Sequence, residues 1–156
     1  MKTRYAYLHG FGSSPNTHKG VILAQEMAAR GALLERPDLN APSFAKLSTL
    51  AALARIDEMA GEDRWCFVGS SMGGYLAARW AELHPTQVEK LVLLCPGFEL
   101  ATRWPAIVGP AMMAKWKTDG ALAFHDHGAG KMTPVHYAFY EEGRELDRRA
   151  SCRERV

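Results

Sequence analysis

Five consecutive residues, Gly69-Ser70-Ser71-Met72-Gly73, carry the strongest chemical signal in this 156-residue chain. They match the pattern G-x-S-x-G, in which a serine sits on a sharp turn between a strand and a helix. The flanks fit that context. Trp65 to Val68 (WCFV) reads as a short apolar strand, and Met72 to His84 reads as a helix with Leu76, Trp80 and Leu83 at i, i+4 and i+7. A turn this sharp strains the serine backbone and lifts its hydroxyl above the sheet. Gly69 and Gly73 leave room for backbone that must pass close by. The helix start behind Ser71 favours developing negative charge. A serine held this way is suited to nucleophilic attack on an acyl group.

A second group, His9-Gly10-Phe11-Gly12, directly follows the first strand. Acyl transfer creates an oxyanion that needs two preorganised N–H donors. The backbone N–H of Met72 is expected to supply one. The N–H of Phe11, in a loop freed to bend by Gly10 and Gly12, is expected to supply the other. His9, Gly10 and Gly12 are then expected on the substrate side. Taken alone, the segment also fits an ordinary loop in which His9 only packs.

The elements that must position these groups follow from periodicity. Arg4 to Leu8 reads as a strand, His18 to Arg30 as a helix, and Ala32 to Glu35 as a second strand. A helix follows over about 45–60, then WCFV, then the helix from Met72, then Leu91 to Leu94 (LVLL). This β-α-β-α-β-α-β order predicts an α/β fold: a parallel sheet with helices on both faces. WCFV and LVLL, being unbroken apolar runs, are expected to be buried on both sides. Residues 99–140, rich in aromatics, Pro and Gly, predict a small, mostly helical cap. The whole reads as one core over 1–146; the densely charged stretch from Glu141 reads as a frayed helix or as disordered, with 147–156 as a disordered or non-native tail.

Composition excludes several classes. The hydrophobic fraction is 47%, the charged fraction 23% and the net charge +2, so no clustered basic footprint points to nucleic acid. No apolar stretch is long enough to span a bilayer, and no signal peptide fits before the first strand. Cys66, Cys95 and Cys152 are widely spaced and odd in number, with neither a disulfide framework nor a zinc spacing. Cys66 and Cys95 read as small buried hydrophobes. A reduced, cytoplasmic protein is expected. The Gly-rich segment after the first strand has neither dinucleotide nor P-loop spacing.

YLHGFGSSP, PDLNAPSF and GSSMGGYLA stand in the order seen in the small YqiA-type esterases of the α/β-hydrolase superfamily, and KMTPVHYAFYEEG also resembles theirs. The resemblance covers nearly all of residues 4–146. It implies Ser71 as nucleophile, Phe11 and Met72 as the oxyanion hole, cleavage of short-chain or other small esters, and no cofactor. Such hydrolases carry the acid and then the histidine after further strands. No strand-like run follows residue 140, so a C-terminally truncated chain without the standard acid and base is expected.

Two expectations depend on that. LVLL becomes an open sheet edge, which a homo-oligomer would cover. A substitute triad of Ser71, His127 and Glu99, or one completed by a partner chain, is the alternative for the missing base. His125 and His127 around Asp126 also suggest a metal site, but no second ligand cluster supports it, so no metal is expected. His18 and His84 read as surface and structural residues, and His136 remains a third cap histidine. The expected activity is a serine carboxylesterase acting through an acyl-enzyme on Ser71. The alternatives are a catalytically impaired fragment, or a thioesterase, amidase or acyltransferase using the same groups.

Overall fold

Neighbouring side chains along a strand point to opposite faces. On β1 (Thr3–Leu8), Ala6 and Leu8 therefore share a face, and on β3 (Arg64–Ser70) Trp65 and Phe67 do the same. The two strands pair in parallel with Ala6 beside Phe67, so those four side chains join one buried layer. The computed structural model, which describes residues 2–153, completes this sheet with β2 (Leu34–Glu35) and β4 (Val88–Leu94). All its pairings are parallel, in the order β2-β1-β3-β4.

Helices α1 (His18–Ala28), α2 (Thr49–Ala60) and α3 (Met72–Leu83) connect the strands. The face bearing Phe67 receives α3, whose Trp80 meets Phe67 edge-on at 5.3 Å. Trp80 Nε1 donates to Asp57 Oδ1 of α2 at 2.6 Å, tying the two helices together. The opposite face receives α1, where a Cβ on Gly20 would lie 3.0 Å from the Tyr7 ring. Helices thus lie on both faces, as the alternation predicts.

Beyond β4 come α4 (Leu100–Val108), α5 (Pro110–Asp119), a hairpin of β5 (Ala121–Asp126) and β6 (Lys131–His136), and α6 (Ala138–Arg153). The cap is built mainly of helices, as expected, and the hairpin is an added element that the sequence reading lacks. Pro134 obscures it in the sequence, because proline breaks a strand reading. In a two-stranded ribbon, however, both strands are edges, and an edge tolerates a missing N–H. Helix α6 also passes through residues 147–153, the helical one of the two alternatives for the charged tail; residues 154–156 lie outside the described residues. Its Glu142 reaches back to α2: Oε1 accepts from Ser48 Oγ at 2.8 Å, and Oε2 accepts from Thr49 N–H. A carboxylate there satisfies free helix donors and suits the positive end of the dipole.

β4 departs from expectation in burial. Leu91, Val92 and Leu94 are all exposed, because β4 is the edge strand of this sheet and α3 covers only one of its faces. LVLL is therefore not buried on both sides. Cys95 is exposed and Cys66 half-buried, which corrects their reading as core residues. Burial, opposed by Lys90, pushes the Cys66 thiol above its usual range. The Cys152 side chain lies outside the described residues. Among the described residues, no helix is long and apolar enough to cross a membrane.

Candidate active site

β3 runs into α3 without a loop, and Ser71 stands between them with φ 52° and ψ −119°. A non-glycine residue at positive φ is uncommon and costs on the order of 1–3 kcal/mol. Backbone hydrogen bonds hold it there. Ser71 N–H donates to Leu94 O at 3.0 Å, while Ser71 O accepts from Gly97 N–H at 2.9 Å and from Gly74 N–H at 2.9 Å. The Ser71 residue is exposed, whereas Ser70 and Met72 on either side are buried. Met72 opens α3, so its N–H belongs to the first turn, where donors have no intrahelical acceptor.

The glycines of the motif are explained by distance. A Cβ on Gly69 would lie 2.6 Å from Gly74 Cα. A Cβ on Gly73 would collide with the Leu8 carbonyl and lie 2.6 Å from His9 O. The start of α3 is thus pressed directly against the end of β1. That contact brings the segment from His9 to Gly12 alongside the serine: a Cβ on Gly10 would lie 3.3 Å from Ser71 Cβ and 3.9 Å from its Oγ.

His9 has a different place from the one expected. It is fully buried, so it does not line a substrate surface. Its Nε2 accepts from Leu39 N–H at 3.0 Å. With Nε2 accepting, Nδ1 is the ring nitrogen left to donate to Gly10 O at 3.0 Å, and Asp38 Oδ1 lies 3.4 Å from Nε2. The imidazole fixes the loop from below. Phe11 turns its ring into the cap, with Phe44, Trp104, Phe124 and Phe139 at centroid distances of 5.1 to 5.5 Å. Gly12 has φ +67°, and a Cβ there would lie 2.7 Å from His125 O.

The histidines and Glu99 divide as follows. His125 near the end of β5 and His127 in the hairpin turn are exposed, their rings 4.2 Å apart. Glu99, at φ 54°, precedes α4 and lines a cleft with Lys117, Tyr137 and Arg144. His84 stacks on Trp80 at 4.3 Å and pairs with Asp57 at 3.0 Å, a structural setting. Among the described residues, no hydrogen bond joins Ser71 Oγ to His125, His127, His136 or Glu99. The structure therefore does not assemble the substitute triad. Nor, among the described residues, do three or more His, Cys, Asp or Glu side chains group as a metal site would require.

Two contacts around the β3–α3 turn went unread in the sequence. Lys19 Nζ donates to Ser70 Oγ at 3.2 Å, a contact across 51 residues that no local pattern announces. Tyr75, one turn along α3, sits by a small cavity of about 20 Å³ shared with Met72, Gly97, Trp104 and Asp147. That space holds about one water. The Tyr75 hydroxyl and Asp147 Oδ2 are buried there without a protein partner. Burial, with the Asp147 charge nearby, pushes the Tyr75 phenol up to about 12. Burial, reinforced by Glu99, also raises the Asp147 carboxyl.

The profile of an uncharacterised protein family, UPF0227, matches residues 4–152. Solved structures share the fold at low identity. A protein of Agrobacterium vitis S4 superposes with a TM-score of 0.75 at 18% identity, over 92% of this chain and 61% of that one. The mouse alpha/beta hydrolase domain-containing protein 10 gives 0.70 at 19%, over 90% and 60%. The monoacylglycerol lipase of Paleococcus ferrophilus gives 0.71 at 17%, over 96% and 69%. The chain thus spans about 60% of the length of the first two. The shared fold is that of the α/β hydrolases.

Proposed function

This chain belongs to the UPF0227 family, and from that premise we propose that it is a serine hydrolase acting on small or short-chain carboxylic esters. The observation that carries the proposal is the strained, exposed Ser71 at the start of α3, packed against Gly10. Ser71 Oγ attacks the ester carbonyl, and the oxyanion that forms accepts from the N–H groups of Met72 and Phe11. The C–O bond to the alcohol breaks, and the alcohol leaves with the proton of the serine hydroxyl. Water then cleaves the Ser71 acyl ester and restores the hydroxyl. Thioester hydrolysis or acyl transfer would use the same groups. That neighbours of the same fold include a monoacylglycerol lipase supports acyl chemistry without naming the substrate.

A second reading rests on one observation. Among the described residues Ser71 Oγ has no histidine partner, so this chain retains the acylation site with weakened turnover. An oxyanion hole and binding alone leave about 10³- to 10⁴-fold acceleration over water in other serine hydrolases. A fluorophosphonate probe separates the two readings from no function at all. It is expected to add one phosphonyl group per chain, mapped by peptide mass to Ser71. A chain that stays unlabelled, or is labelled elsewhere, removes Ser71 from the chemistry.

We also propose that a second copy covers β4. Fully burying a Leu or Val side chain is worth about 1.5–3 kcal/mol, and Leu91, Val92 and Leu94 leave much of that unused. Sedimentation velocity at micromolar concentration is expected to show a dimer or larger species, and Val92→Lys to return a monomer. A wild-type monomer throughout would end this proposal.

A further inference from the structure

We propose that Asp126 is a positioning residue for this reaction: its buried carboxylate closes the β5–β6 turn, and that turn clamps the loop carrying the Phe11 N–H beside Ser71. This rests on the esterase reading and goes beyond it, because Asp126 belongs to the cap and touches no reacting atom.

The chain of contacts is short. Asp126 is buried at the end of β5, and its Oδ1 accepts from Ala129 N–H at 2.9 Å, which fixes the turn 126–129. In that turn His127 N–H points at the catalytic loop and donates to Gly12 O at 2.7 Å. The fit leaves no slack: a Cβ on Gly128 would lie 2.8 Å from Ser14 Cβ and 3.2 Å from Asp126 Oδ1. Gly12 lies one residue beyond Phe11, so its carbonyl and the Phe11 N–H belong to the same short, bent segment. The Phe124 ring of β5 packs against the Phe11 ring at 5.2 Å, so strand and turn grip the segment at two adjacent residues.

An oxyanion donor works because it is already aimed when charge develops. A misplacement of about 1 Å from a distant change can cost on the order of 10²-fold in rate. The hairpin therefore acts as a fixed mount rather than a lid: moving it would carry the donor away from the serine. Such an effect falls on the transition state, so it lowers kcat and leaves KM nearly unchanged.

The test compares Asp126→Ala with Asp126→Asn, whose amide oxygen still accepts from Ala129 N–H. On p-nitrophenyl acetate, D126A is expected to lower kcat by about 10- to 100-fold with KM within about threefold, and D126N to stay within about threefold of wild type. Amide hydrogen exchange over residues 10–13 is expected to quicken in D126A and not in D126N. A folded D126A protein with wild-type kcat overturns the inference. So does equal protection of residues 10–13 in all three proteins. If D126A does not fold, Phe124→Leu is expected to give the same kcat loss in milder form, and wild-type kcat there overturns the inference equally. If wild type hydrolyses nothing while the exchange difference appears, the clamp stands and the esterase reading falls.

Discussion

Ser71→Ala is expected to abolish the burst of p-nitrophenol, one equivalent per chain, that the wild type releases from p-nitrophenyl acetate. The burst is the signature of an acyl-enzyme formed faster than it is resolved. Alanine fits the site: the positive φ persists, the Leu94 and Gly97 backbone contacts do not involve the hydroxyl, and the exposed position loses only one oxygen. Fold and oxyanion donors should therefore be unchanged, and the difference isolates the nucleophile. In a serine hydrolase with a complete triad, losing the serine costs about 10⁶-fold in kcat. Triad members act as a unit, and this serine has no histidine partner among the described residues, so the steady rate is expected to fall far less, and the lost burst is the larger effect. Stopped-flow release at equal protein concentrations reads both quantities. A burst that survives in S71A places the nucleophile elsewhere. No burst in either protein, together with phosphonylated Ser71, means that attack by an ester substrate is itself crippled.

Gly73→Ala is expected to destabilise the fold and disable the site together. The new methyl group would occupy the space of the Leu8 carbonyl, at the last residue of β1, with His9 O only 2.6 Å away. Neither neighbour is the yielding end of a flexible side chain. β1 is held in register with β3 up to Leu8 and Gly69, so the strand cannot retreat alone. Overpacking of ordinary side chains costs about 1–3 kcal/mol, and a backbone collision belongs at or beyond the top of that range. For a chain of this size about 3 kcal/mol lowers Tm by roughly 10 °C. Whatever movement relieves the collision parts Ser71 from Gly10, and the burst should vanish even below the new Tm. Calorimetry and the burst assay check the two halves. A G73A protein that melts with the wild type would show that the start of α3 is far less constrained than its distances require.

The sequence made some of this legible because local rules and tertiary structure agree there. The run from WCFV through GSSMG to an amphipathic helix is a strand, a turn and a helix by three independent signals, and the structure has all three. Where tertiary context decides, the sequence was silent. LVLL looks buried by composition, yet its exposure depends on whether another strand lies beside it. His9 has the type of a substrate ligand, but a single hydrogen bond from Leu39, 30 residues away, claims its Nε2. The β5–β6 hairpin was hidden by Pro134. With it went the meaning of Asp126, which read as a doubtful metal ligand and proved to be a turn cap. Lys19 beside Ser70 had no sequence signal at all.

The aromatic packing has an optical consequence. The chain has four tryptophans, and they fall into two pairs. Trp65 and Trp80 each lie against Phe67 in the sheet layer, whereas Trp104 and Trp116 meet each other at 5.6 Å inside the cap. Two indoles at that spacing couple electronically, so the circular dichroism carries a contribution from the touching cap pair that the sheet pair, with Phe67 between its rings, does not make. Sheet and cap thus carry separate intrinsic chromophores. Light alone can then report whether the mount of the oxyanion loop and the strand beneath the serine come apart together or in sequence.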